Sequence, residues 1–132
     1  FTRCKTICPK ILGHLKSVEQ EAKDNGLDLH MVSIPVDPEH DTPERLLAKH
    51  EEIGASDNWT FLTGSREKIT DVVVKGFKTH MGEEETLENG LIEIGHGAKL
   101  LLIGPEGIIR GLFDTTPEEQ AKLIALVKRL QR

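Results

Sequence analysis

Along the 132 residues, stretches with helical spacing of apolar side chains alternate with short stretches of branched and aromatic residues. A chain written in that order folds as a sheet with helices packed against its faces, an α/β arrangement. From residue 10 to about 23, Ile11, Leu12, Leu15 and Val18 recur at helical spacing. Pro9 suits the first turn, where its missing N–H costs nothing, and Asn25-Gly26 ends the helix. Residues 27–36 read as a strand, broken by Asp37-Pro38. Thr42 caps a second helix running to about residue 53, with Pro43 at its first position. Residues 59–62 read as a strand. Ser65 caps a third helix that carries Ile69, Val72 and Val73 on one face and ends near Gly76. Residues 79–89 are acidic and poor in apolar side chains, and read as an exposed loop or an irregular excursion. Residues 99–103 and 108–113 read as two strands, with Gly104-Pro105-Glu106-Gly107 as the hairpin turn between them. Thr116 caps the last helix, with Pro117 first and Leu123, Ile124, Val127 and Leu130 as its apolar stripe. No repeats or linkers interrupt the order, so residues 1–132 read as a single domain.

Charge and composition narrow the function. Lys and Arg number 17 against 22 Asp and Glu, a net charge of −5, and aromatic residues make up only 4%. A nucleic-acid binder would show a basic face with interleaved aromatics. No apolar run approaches the roughly 18–20 residues that a membrane span needs.

The chain has two cysteines, Cys4 and Cys8. A disulfide between them would close a very short loop and add little global stability. At a loop-to-helix junction, unpaired N–H groups and a partial positive charge favour thiolate over thiol. Paired thiols so placed serve redox chemistry or metal binding; the plain alternative is two buried, inert cysteines. Two sulfurs alone make a weak metal site, so a third ligand is sought among six histidines. His14, two turns past Cys8, reads as solvated. His30 lies in a strand, His40 and His50 among charged residues, and His80 in the acidic loop. His96 stands between Gly95 and Gly97, where the missing side chains let the backbone approach another segment closely.

The run Phe1-Thr2-Arg3-Cys4 through Cys8-Pro9 resembles the F-T-x-C-x-x-x-C-P signature of the Sco (SenC-type) family. Val36-Asp37-Pro38-Glu39-His40-Asp41-Thr42-Pro43-Glu44 is similar to its V-D-P-x-x-D-T-P-E segment, and Phe61-Leu62-Thr63-Gly64 to the strand end that follows. His96 stands where the family has its ligand histidine. Two positions depart from the pattern. Lys5 follows the first cysteine where Pro is frequent, and Gly95-His96-Gly97 replaces Asp-His-Ser, removing groups that would orient an imidazole.

The resemblance implies a thioredoxin-like sheet flanked by helices and a copper site of Cys4, Cys8 and His96. It implies delivery of copper to the binuclear copper centre of cytochrome c oxidase. Soft sulfur favours Cu(I), and the added nitrogen accommodates Cu(II). The partner would be the oxidase's copper subunit or another copper carrier. The compartment would be the periplasmic side of the bacterial inner membrane or the mitochondrial intermembrane space. In such a sheet the strand leading into the cysteines is internal, and this chain opens where that strand would end. The fold therefore reads as N-terminally incomplete, lacking the strand or strands before the CxxxC motif and a membrane anchor upstream of them. By position, the acidic stretch corresponds to the family's mobile loop, which closes over the site. Asp37 and Asp41 suit either a capped turn or an acidic surface for docking a partner.

A metallochaperone is one reading. A thiol–disulfide oxidoreductase cycling Cys4 and Cys8 is the alternative, and the two can coexist. A peroxidase of the peroxiredoxin type wants Thr three residues before its reactive cysteine, but Phe1 and Lys5 occupy those offsets. A structural zinc site generally wants four protein ligands, and three are evident.

Overall fold

The computed structural model describes residues 1–5, 7–78, 81–89, 92–96 and 99–132. The chain divides into two compact units, Phe1–Pro9 with His30–Gly97, and Lys10–Leu29 with Ala98–Arg132.

The first unit carries both cysteines and the backbone of His96. Helix α1 (Ile7–Asp24) begins in it. Strand β1 (Met31–Ser33) passes through helix α2 (Pro43–Glu52) to strand β2 (Trp59–Phe61). The two strands pair in parallel, Met31 opposite Trp59 and Ser33 opposite Phe61. Parallel strands need a crossover, and α2 supplies it. As expected, Thr42 caps α2, its side chain accepting the Arg45 N–H at 3.3 Å. The Trp59 ring is 1% exposed and its indole N–H donates to Ser33 Oγ at 3.0 Å. It stands edge-on to Phe61, 5.6 Å between centroids. Met31, Val36, Leu46, Ile69 and Val73 are also buried in this unit.

Helix α3 (Arg66–Thr70) starts at the expected Ser65 cap and widens into a π-helical turn at Asp71–Gly76. After it the structure corrects the sequence reading. The stretch expected as a loop contains strand β3 (Met81–Thr86), paired antiparallel with strand β4 (Ile92–His96). Met81 lies opposite His96, Glu84 opposite Ile94 and Thr86 opposite Ile92, with a bulge between Met81 and Glu84. Three successive glutamates hide this strand, because β propensity is low for Glu and the pairing partner, not the local sequence, supplies the ladder. The strand expected over residues 27–36 forms only at Met31–Ser33, the length that β2 can pair.

In the second unit, α1 ends as the sequence indicates. Gly26 takes φ +65°, its N–H bonds to the Lys23 carbonyl at 3.0 Å, and the Leu27 N–H reaches back to Ala22 at 2.9 Å. Those two bonds are the left-handed helix stop that glycine permits. Strands β5 (Leu100–Ile103) and β6 (Ile109–Phe113) form the expected hairpin, with Gly107 at φ +82° in its turn. Helix α4 (Pro117–Leu130) starts at Thr116, which accepts the Glu119 N–H at 3.2 Å. Gln120 Nε2 ties α4 to α1 by donating to Ser17 Oγ at 3.1 Å and Glu21 Oε2 at 2.6 Å. Val18, Ala22, Leu102, Phe113, Leu123, Ile124 and Val127 form this unit's core.

Candidate functional site

Cys4 and Cys8 are 3% and 6% exposed, and both stand as thiols. Cys8 is the second residue of α1, and its N–H belongs to the first turn, where no helical carbonyl is available. Cys4 Sγ takes that place, accepting the Cys8 N–H at 3.4 Å. The Phe1 nitrogen donates to Cys8 Sγ, also at 3.4 Å. The Cys4 N–H closes a turn onto the Phe1 carbonyl at 3.1 Å. Cysteines four apart meet at one helix start because the chain before the helix folds back over its first turn.

The cysteine loop is held by the segment that follows β1. Asp37 and Asp41 are 3% and 0% exposed. Arg3 Nε donates to Asp37 Oδ2 at 2.8 Å and Arg3 Nη2 to Asp37 Oδ1 at 3.0 Å, a two-pronged ion pair. The Thr2 N–H lies 3.3 and 3.2 Å from the two Asp41 oxygens, and the Thr2 hydroxyl donates to Asp41 Oδ1. Asp41 is itself placed by a backbone bond, its N–H to the Asp37 carbonyl at 2.8 Å. Burial rules out the acidic docking surface for these two aspartates. Thr42, not either aspartate, caps the helix. The expected turn before the capped helix is present, the Asp37 carbonyl accepting the His40 N–H at 3.1 Å, and the two carboxylates anchor the residues just before Cys4.

Arg3 has a second partner. Its Nη2 also donates to Glu84 Oε2 on β3. Hydrogen bonds to Asp37 first and Glu84 second hold the guanidinium protonated well beyond its ordinary range. Nearby, Arg66 makes a two-pronged contact with Glu39, at 2.7 and 2.6 Å. That contact holds the Glu39 carboxyl below its usual range.

The sequence-predicted ligand His96 lies at the end of β4, opposite Met81, and its side chain falls outside the described residues. Among the described residues, no group of three or more His, Cys, Asp or Glu side chains is placed to hold a metal ion. Three other histidines have local partners. His30 Nε2 lies 2.8 Å from Thr60 Oγ1, and His40 Nδ1 lies 2.8 Å from Arg45 Nη1. Half-buried His50, expected at the surface, bonds through Nε2 to the carbonyl of Trp59 at 2.8 Å. His14, expected to be solvated, has a buried Nε2 with no hydrogen-bond partner among the described residues. His80 lies outside the described residues.

Sequence reasoning missed Thr2, Arg3 and Glu84 as parts of the site. The available signal was two acidic residues four apart beside a proline, matched in charge by an arginine next to Cys4.

The family model described as SCO1/SenC matches residues 1–132. The SCO1 protein homolog of Bacillus subtilis is 35% identical over 109 residues, covering 81% of this chain and 54% of the relative. The chain spans about half the length of the curated relatives it matches. The crystal structure of Arabidopsis thaliana ScoI with copper bound superposes with TM-score 0.80 at 26% identity, covering 99% of this chain and 80% of that one. BsSco, described as a Sco-family cytochrome c oxidase assembly protein with a disulfide switch, superposes with TM-score 0.78 at 31% identity, covering 97% and 74%. The thioredoxin-like α/β fold expected from the sequence is the fold of these neighbours. Matched by that family model from first residue to last, the chain belongs to the SCO1/SenC family.

Proposed function

We propose that this chain binds one copper ion through Cys4, Cys8 and His96 and passes it on during assembly of cytochrome c oxidase. The compartment proposed is the periplasmic side of a bacterial inner membrane or the mitochondrial intermembrane space. No helix among the described residues is long and apolar enough to cross a membrane. The observation that carries the proposal is the pair of buried thiols held together at the start of α1, in a family with a copper-bound member of known structure.

The donor set fits the cargo. Two thiolates suit Cu(I), and an imidazole lets the same site hold Cu(II). Three protein donors leave room for an incoming thiolate, so copper can move by stepwise ligand exchange. Asp37 and Asp41 hold Arg3 and Thr2, and so fix the loop that bears Cys4.

The same thiols support a second reading, thiol–disulfide exchange. Cys4 and Cys8 would give up two electrons and two protons to a partner's disulfide. They would become a disulfide as the partner becomes a dithiol. The disulfide switch described for BsSco favours keeping it.

Anaerobic copper titration tests the proposal. Copper should bind at a stoichiometry near one in the unaltered protein, and binding should fall sharply in His96→Ala and in Cys4→Ser/Cys8→Ser. His96→Ala should keep its rate of disulfide exchange, because that chemistry needs only the sulfurs. No copper uptake by the unaltered, reduced protein would overturn the metal-carrier reading.

A further inference from the structure

We propose that Arg3 is a positioning residue that ties the strand pair bearing His96 to the cysteine loop through Glu84. The proposal rests on the copper-site reading above, and two contacts define it. The two-pronged bond to Asp37 fixes the guanidinium to the body of the fold, since the Asp37 side chain is only 4% exposed. The remaining reach of Nη2 goes to Glu84, on the strand opposite β4.

The register gives the contact its consequence. Glu84 is paired with Ile94, two residues before His96. At the rise of a strand that is about 7 Å along β4. Arg3 immediately precedes Cys4 in the chain. One guanidinium thus joins the residue next to the first thiol to the strand partner of the segment ending in the histidine. The ladder between Glu84 and Met81 is interrupted by a bulge. A bulge weakens local pairing, so β3 and β4 do not by themselves fix the His96 end of the ribbon. The Glu84 contact lies on the regularly paired side of the bulge, so it anchors the part of the ribbon from which the His96 end extends.

The two contacts differ in strength. Arg3 and Glu84 side chains are 27% and 48% exposed, so their pairing is modest and released by salt, whereas the Asp37 pairing is shielded. The tie to the ribbon therefore opens while the tie to the fold stays closed, which lets the His96 end swing without unfolding the cysteine loop.

Glu84→Gln is the discriminating variant, because it removes the ribbon charge that Arg3 meets and leaves Arg3 with Asp37. In the copper-free protein, amide exchange of residues 81–86 and 92–96 should quicken by about two- to five-fold, the range of a partly exposed ion pair. Exchange in α2 and α4 should stay unchanged. Copper release to a competing chelator should quicken by a similar factor. The imidazole nitrogen coupling in the Cu(II) spin-resonance spectrum should weaken, which a merely structural contact would not alter. High salt should bring the unaltered protein to the Glu84→Gln exchange rate. Unchanged exchange in the ribbon, or an equal rise throughout the chain, would overturn the proposal. Should the unaltered protein take up no copper, the copper-site reading fails by itself, and exchange in the copper-free protein still decides whether Arg3 restrains the ribbon.

Discussion

Replacing Asp41 with alanine tests the claim that a buried carboxylate, not local turn chemistry, holds the cysteine loop. The side chain is wholly buried and accepts both the N–H and the hydroxyl of Thr2. Hydrogen bonds to a charged group are each worth about 1.5–3 kcal/mol net. Two of them would set an upper range of about 3–6 kcal/mol. Two effects offset this. Thr2 is half-buried, so water reaches part of what is exposed, and alanine removes the cost of keeping a charge out of water. The expected loss is about 2–3 kcal/mol. In urea, with a slope of about 1–3 kcal/mol per molar, the midpoint should fall by roughly 1 M. Asp41→Asn keeps one acceptor and should lose about half as much. Thr2→Val combined with Asp41→Ala should cost clearly less than the sum of the single changes, because both remove the same contact. A midpoint for Asp41→Ala within about 0.2 M of the unaltered protein, or strict additivity in the double variant, would refute the reasoning.

Trp59→Ala should cost about 3–5 kcal/mol in the same assay, since it empties the most buried aromatic position and leaves Ser33 Oγ without its indole donor. The Glu39–Arg66 pair should give a small pH-dependent term. Arg66 lowers the Glu39 pKa in the folded chain from its ordinary 4.5, so the stabilisation is complete above 4.5 and is lost as pH falls through the lower folded value. Unfolding free energies of the unaltered protein and Arg66→Ala, from urea titration, should therefore differ most at neutral pH, by at most about 1 kcal/mol for so exposed a pair, and converge in acid and in high salt.

What could be read from the sequence is what neighbouring residues decide among themselves. Thr42, Ser65 and Thr116 each place a hydroxyl over the next helical turn, and the caps stand where Thr-Pro, Ser and Thr-Pro mark them. Asn25-Gly26 and Gly104-Pro105-Glu106-Gly107 likewise specify a helix stop and a hairpin through local backbone preferences. The cysteine pair at a helix start was legible for the same reason. Pairing across long separations was not. The strand at Met31–Ser33 is three residues long because β2 offers three partners, although branched residues continue on both sides. The Glu-rich strand β3 exists through β4, and nothing within Gly82-Glu83-Glu84-Glu85 announces it. Asp37 and Asp41 look like exposed turn residues until Thr2 and Arg3, more than thirty positions earlier, fold over them and remove their water. Local preference chooses the elements within a few residues of chain, whereas burial and ion pairing depend on which distant segments the fold brings together. That is why the sequence by itself named the thiols, and only the tertiary structure decided what holds them in place.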